Sequence, residues 1–128
     1  MQEKYLFEYA VIRLVPRVER EEFLNVGLIL YCSAQKFLQA KFWLDEERLK
    51  AFSPGTDLSE IEDNLNAFCQ ISMGKKEAGP IAKLDQVSRF RWLTATRSTD
   101  LQTSKVHPGF CEDAAETLER LFEEVVLD

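Results

Sequence analysis

YLFEYAVIRLVPRVEREEFLNVGLILYC, from Tyr5 to Cys32, holds two apolar runs, Tyr5–Val15 and Val26–Cys32, on either side of a charged connection. Along the first run Tyr5, Phe7, Tyr9 and Val11 alternate with Leu6, Glu8, Ala10, Ile12 and Leu14. Both sets are mostly apolar, which predicts a strand covered on both faces rather than a solvated edge. Pro16 ends it, because proline offers no N–H to a ladder. Arg17–Leu24 reads as one or two helical turns, with Val18 and Phe23 turned inward and the charges facing water. Val26–Tyr31 reads as a second buried strand, and Gly27 within it predicts a bulge or the close approach of another backbone.

Working outward, Ser33–Lys36 is a hairpin-length turn. Phe37–Trp43 reads as a third strand, with Leu38, Ala40 and Phe42 on one face. Asp45–Phe52 is a short helix broken by Ser53-Pro54-Gly55. A second helix starts at Asp57, with Glu60 three residues on as an acidic variant of the capping box. Leu58, Ile61, Leu65, Phe68 and Cys69 form its apolar stripe, and Gly74 is its stop. Val87–Ala95 reads as a fourth strand, with Phe90 and Trp92 on one face and Arg89, Arg91 and Leu93 on the other. Thr96–Phe110 has no period and reads as a long loop, a kind of segment that in a small domain is usually functional. Asp113 opens a terminal helix striped with Ala114, Leu118, Leu121, Phe122 and Val125. Strands and helices fall in separate runs, so the expected class is α+β: a small, mainly antiparallel sheet of about four strands with helices packed on it, one domain over residues 1–128.

The 128 residues are 45% hydrophobic and 30% charged, ordinary values for a globular chain. The net charge of −6 lies wholly in the last helix: from Glu112 onward there are seven acids against the single base Arg120, and the residues before it balance at fifteen of each sign. Nucleic acid is therefore not the expected partner, since its binders carry a basic footprint. No apolar run reaches the roughly 20 residues that span a bilayer. The N-terminus has no signal-peptide pattern, and Cys32, Cys69 and Cys111 are odd in number; both point to a cytoplasmic protein with reduced thiols and no membrane contact.

Three segments, EYAVIRLVPRVEREEFLNVGLILYC, RFRWLTATRSTDLQTSKVHPGFC and the terminal LERLFEE, resemble a bacterial family known as a domain of unknown function, thirty thirty-seven in its series. The resemblance covers nearly the whole chain. It implies no established activity, no cofactor and no catalytic residues. It also implies genes that neighbour those of HipA-like protein kinases, and hence an accessory or regulatory partner of such a kinase.

Two function classes follow from the residues. Arg89–His107 gathers Arg97, Ser98, Thr103, Ser104 and His107, and Arg13 at the end of the first strand and Arg17 just after it can join them. Guanidinium forks beside hydroxyls are the parts of a phosphate or carboxylate site, so this set is a candidate anion site, in a small binding protein or an enzyme, for a nucleotide, a phosphate or phosphopeptide, or a nucleic-acid backbone. The plainer reading is a polar loop whose arginines pair with surface acids. The other class is a non-enzymatic module that binds a protein, presenting to that partner either the acidic face Glu116, Glu119 and Glu123 of the last helix, which suits a basic surface, or the Arg97–His107 loop. This is the leading expectation.

His107, the only histidine, sits in an ordinary Val-His-Pro-Gly turn sequence, and no catalytic helper is identifiable by spacing. The cysteines lie 37 and 42 residues apart, unlike the close ligand pairs of structural zinc sites, so no metal is expected. Glu8 is the only strand acid, and the carboxylate groups Asp45/Glu46/Glu47 and Glu60/Glu62/Asp63 sit at helix starts, where the dipole favours them.

Overall fold

The computed structural model describes residues 4–16, 20–95 and 100–127. β1 (Tyr5–Leu14) is the middle strand of a five-stranded antiparallel sheet. β2 (Leu24–Cys32) lies on one side of it and is followed by β3 (Phe37–Phe42) at the edge. The other side is shared by two short strands, β4 (Leu101–Thr103) against Ile12–Leu14 and β5 (His107–Cys111) against Tyr5–Tyr9. Between β3 and β4 run α1 (Glu46–Phe52), α2 (Leu58–Ser72), two 3₁₀ turns and α3 (Gln86–Leu93). α4 (Ala114–Phe122) follows β5 and runs on as a π-helical turn, Glu123–Leu127.

The double apolar alternation of β1 has the expected consequence. Ala10, Ile12 and Leu14 join Ile29, Tyr31, Leu38 and Ala40 beneath α1, α2 and α3, where Leu49, Ile61, Leu65, Phe90 and Leu93 close the layer. Phe7 and Val11 join Leu28, Leu30 and Cys32 beneath α4, which contributes Leu118, Phe122 and Val126. Each large side chain so enclosed stabilises the fold by roughly 1.5–3 kcal/mol relative to exposure. The helices start where their acids stand: Asp45, Asp57, Asp85 and Asp113 are the four N-caps, Asp85 accepting from one backbone amide of the first turn and the others from two. α2 stops at Gly74, whose φ of +72° suits glycine.

Gly27 meets both of its expectations. The register between β1 and β2 shifts between Ile12 and Arg13, which face Gly27 and Asn25, so Val26 is the extra residue of a bulge. The carbonyl of Val26 accepts from Trp43 N at 2.8 Å, beyond the end of β3.

Four expectations are corrected. The stretch Val87–Ala95 is not a strand but the body of α3 to Leu93 and its C-terminal end: Asp85 caps the helix through Ser88 N at 2.9 Å, and Thr94 Oγ1 closes it on Phe90 O at 2.8 Å. The segment read as a loop over Thr96–Phe110 holds β4 and most of β5, because β1 is long enough to pair both. Leu24 already belongs to β2 rather than to a helical turn. Phe23, expected inward, is 45% exposed, with the guanidinium carbon of Arg13 4.0 Å from its ring centre. Arg17 and Val18 lie outside the described residues. Among the described residues no helix is long and apolar enough to cross a membrane.

Candidate functional site

β4 pairs with β1 over only three residues, and residues of α2 and of β4 line the same open cavity, of about 570 Å³. Its apolar surface is supplied by Ile12 of β1, Phe68 and Ile71 of α2, and Leu93 and Trp92 at the end of α3. Its polar surface is supplied by Glu60, Asn64, Asp100 and Thr103. Glu60, Asn64, Ala67 and Ile71 recur at helical spacing, so a single stripe of α2 forms one wall, beside the stripe that enters the core. A second cavity of about 280 Å³ shares Glu60, Asn64 and Asp100 and runs on to Asp57 and the Ser53–Thr56 turn. The two make one groove, with the shared polar residues at its waist. Its size is that of a ligand cleft, and apolar walls with a few convergent polar groups are the usual lining of one.

Neither Glu60 nor Asp100 has an ion-pair partner among the described residues. Asp57 is engaged as the α2 cap, accepting from Ser59 N at 3.1 Å and Glu60 N at 3.2 Å. No lysine, arginine or histidine is among the described residues that line either part.

The residues expected to form an anion site are distributed differently. Arg13 lies opposite Gln102 and Asn25 with its guanidinium on Phe23, and its Nε and the Oδ1 of Asn25 are buried without a hydrogen-bond partner among the described residues. Thr103 lines the groove and donates to Thr94 O at 3.3 Å. Ser104 is buried, its hydroxyl accepting from Val11 N and donating to Lys105 O, both at 2.9 Å. His107 stacks on Tyr9 at 5.3 Å between ring centres, on the α4 side of the sheet. These four therefore do not meet in one pocket. Arg17, Arg97 and Ser98 lie outside the described residues.

Glu116, Glu119 and Glu123 stand on the exposed side of α4 and its continuation. Glu119 is paired with Lys41 of β3, whose ammonium also lies over the Phe122 ring at 4.9 Å. Glu124 holds Arg120 at 3.5 Å. Across the sheet end, Leu6 and Phe110 face one another in the β1–β5 ladder and are 53% and 70% exposed.

Two of the thiols, Cys69 and Cys111, are poor nucleophiles. Burial pushes Cys69 up to about 11, and its sulfur donates to Ala40 O at 3.5 Å. Burial, and then the neighbouring Cys32, push Cys111 upward as well. A thiol at about 11 is thiolate in roughly one molecule in ten thousand at pH 7. Among the described residues no three His, Cys, Asp or Glu side chains gather as metal ligands would.

Spacing could have pointed to the α2 wall of the groove. Its other walls come from β1, the end of α3 and β4, which only the folded chain brings together.

No curated protein and no solved structure matches the chain. The model of one protein family does, over residues 9–126, from the middle strand of the sheet to the π-helical turn. The chain therefore belongs to the family described as "Protein of unknown function (DUF3037)".

Proposed function

We propose that the chain is a non-enzymatic accessory module that binds another protein through the groove between α2, the end of α3 and β4. One observation carries this: an open cleft of about 570 Å³ whose apolar wall ends on Trp92, 39% exposed. Exposed aromatic and aliphatic groups flanked by polar ones mark surfaces that dock partners. The other chemistry-bearing groups do not converge there: His107 is on the far face of the sheet, and Cys69 is held in its thiol form. On α4, Glu119 is already engaged by Lys41, which leaves that face less charge to offer. A HipA-like kinase is the partner that the family resemblance offers first.

Ala67 supplies the test. It is exposed on the groove wall, so Ala67→Trp fills the cleft without entering the core. Immobilised wild-type chain should retain a HipA-like kinase or another stoichiometric partner from an extract of its host, and Ala67→Trp should lose it. Retention of nothing stoichiometric, or equal retention by both, would overturn the proposal.

A further inference from the structure

We infer that the groove takes an arginine side chain of its protein partner, with the guanidinium at the Glu60–Asp100 waist and the aliphatic stem along the apolar wall. This deepens the binding reading above and rests on it.

The charge pattern selects the occupant. Glu60 comes from the first turn of α2, and Asp100 from the residue that leads into β4, so separate segments bring two acidic residues to the lining of both parts of the groove. Both line both parts of the groove, and neither is neutralised by an ion pair among the described residues. A cleft with low-dielectric walls and charges of one sign concentrates the field and draws in the opposite charge. An anionic occupant would add like charge to that waist, and a neutral apolar one would strip water from two carboxylates without replacing it. A cation satisfies both.

The apolar wall narrows the choice among cations. Phe68, Ile71 and Leu93 offer a surface for methylenes, which basic side chains lay along apolar groups while the charged head stays in a polar setting. Trp92 adds an aromatic surface for a guanidinium plane. A planar fork suits two carboxylates and a ring better than a compact ammonium does, which favours arginine over lysine. The groove continues past the waist to Ser53–Thr56, giving flanking residues of the partner segment somewhere to lie.

The test uses the whole chain with Trp43→Phe, so that Trp92 is the only tryptophan and reports on the groove. A short capped peptide with arginine between leucines is titrated against its fluorescence, beside the same peptide with citrulline, the neutral isostere, or lysine in place of arginine. The arginine peptide should bind saturably and about tenfold more tightly than the citrulline peptide, the scale of two partly exposed charge pairs, and more tightly than the lysine peptide. Glu60→Gln with Asp100→Asn should abolish that preference while lowering the urea midpoint only slightly, as the loss of one first-turn acid does. If the citrulline peptide binds as well as the arginine one, or the double variant keeps the preference, the inference is overturned. If no peptide binds while wild-type chain still captures its partner and Ala67→Trp does not, the inference falls and the binding reading stands. If capture is also indifferent to Ala67→Trp, both fall.

Discussion

Ser104 answers both backbone groups of Val11: its amide donates to Val11 O at 2.8 Å, and its hydroxyl accepts from Val11 N at 2.9 Å. It thereby spans the break between β4 and β5 and keeps the middle strand paired along that side. The hydroxyl does work that a backbone carbonyl does elsewhere in the ladder. Ser104→Ala leaves Val11 N buried without an acceptor, a loss of about 1–3 kcal/mol. In urea the midpoint should fall with an unchanged slope. Lys105→Ala, at the exposed neighbour, should stay within about 0.5 kcal/mol of wild type.

Gly27 is fixed by its neighbours across the β2–β3 ladder. A Cβ there would stand 2.6 Å from Lys41 O and 3.1 Å from both Ile12 Cδ1 and Phe42 Cβ. The carbonyl belongs to a paired strand and cannot yield as a side-chain tip would. Gly27→Ala should therefore lower stability by about 1–3 kcal/mol, the usual scale of overpacking. Gly55→Ala is the contrast: its Cβ would meet nothing, so only the φ of +87° opposes it. Equal, small changes in the two urea midpoints would show that β2 and β3 part more readily than their packing implies.

What could be read from the residues divides along the range of the interactions that decide each element. β1 and β2 were legible because both faces of each are apolar, a pattern that only a doubly covered strand satisfies. α2 and α4 were legible from Asp57, Asp113 and Gly74, which act within one turn. α3 carries a strand-like pattern because Arg89-Phe90-Arg91-Trp92 alternates with period two over a span too short to show a helical repeat, and its one local helix cue is Asp85 capping Ser88 N. β4 and β5 were hidden by Ser, Thr, Pro and Gly: nothing local makes HPGFC a strand, and its ladder comes from Tyr5–Tyr9, about a hundred positions away. Pro108 is tolerated there because β5 pairs with β1 alone, on the side away from β2. The groove stayed out of sight for the same reason, since β4 is one of its walls.

Cys69 gives a pH dependence whose sign is set by burial. Its thiol holds its proton up to about 11, against an ordinary value of 9.0. The unfolded chain ionises first as pH rises, so the contribution of this group is intact below pH 9 and is lost as pH climbs toward 11. Tyrosines and lysines titrate in the same range, which makes the comparison with Cys69→Ala the informative one. The melting temperature of wild type should fall more steeply than that of Cys69→Ala between those two pH values. Parallel curves would mean that Cys69 reaches water in the folded chain. Iodoacetamide should also label native Cys69 far more slowly at pH 8 than it labels the urea-unfolded chain.

Gln35 and Asp113 hold the start of α4 from two directions. The Gln35 amide donates to Glu112 O and accepts from Ala114 N, both at 2.7 Å, tying the β2–β3 turn to the helix start. Asp113 accepts from Ala115 N at 2.9 Å and Glu116 N at 3.4 Å. Together they satisfy three amides that the helix itself cannot. Asp113→Ala should cost about 1 kcal/mol, as N-cap removal usually does, and Gln35→Ala a similar amount. Both act on one turn of backbone, so their effects should not add. Once either is gone the first turn frays, and the other has less ordered structure left to hold. A double-mutant cycle in urea should give a coupling of at least about 0.5 kcal/mol, with the double variant less destabilised than the sum of the two single ones. Additivity within about 0.3 kcal/mol would show the two contacts acting separately, leaving the burial of Leu118, Phe122 and Val126 to set the position of α4 against the sheet.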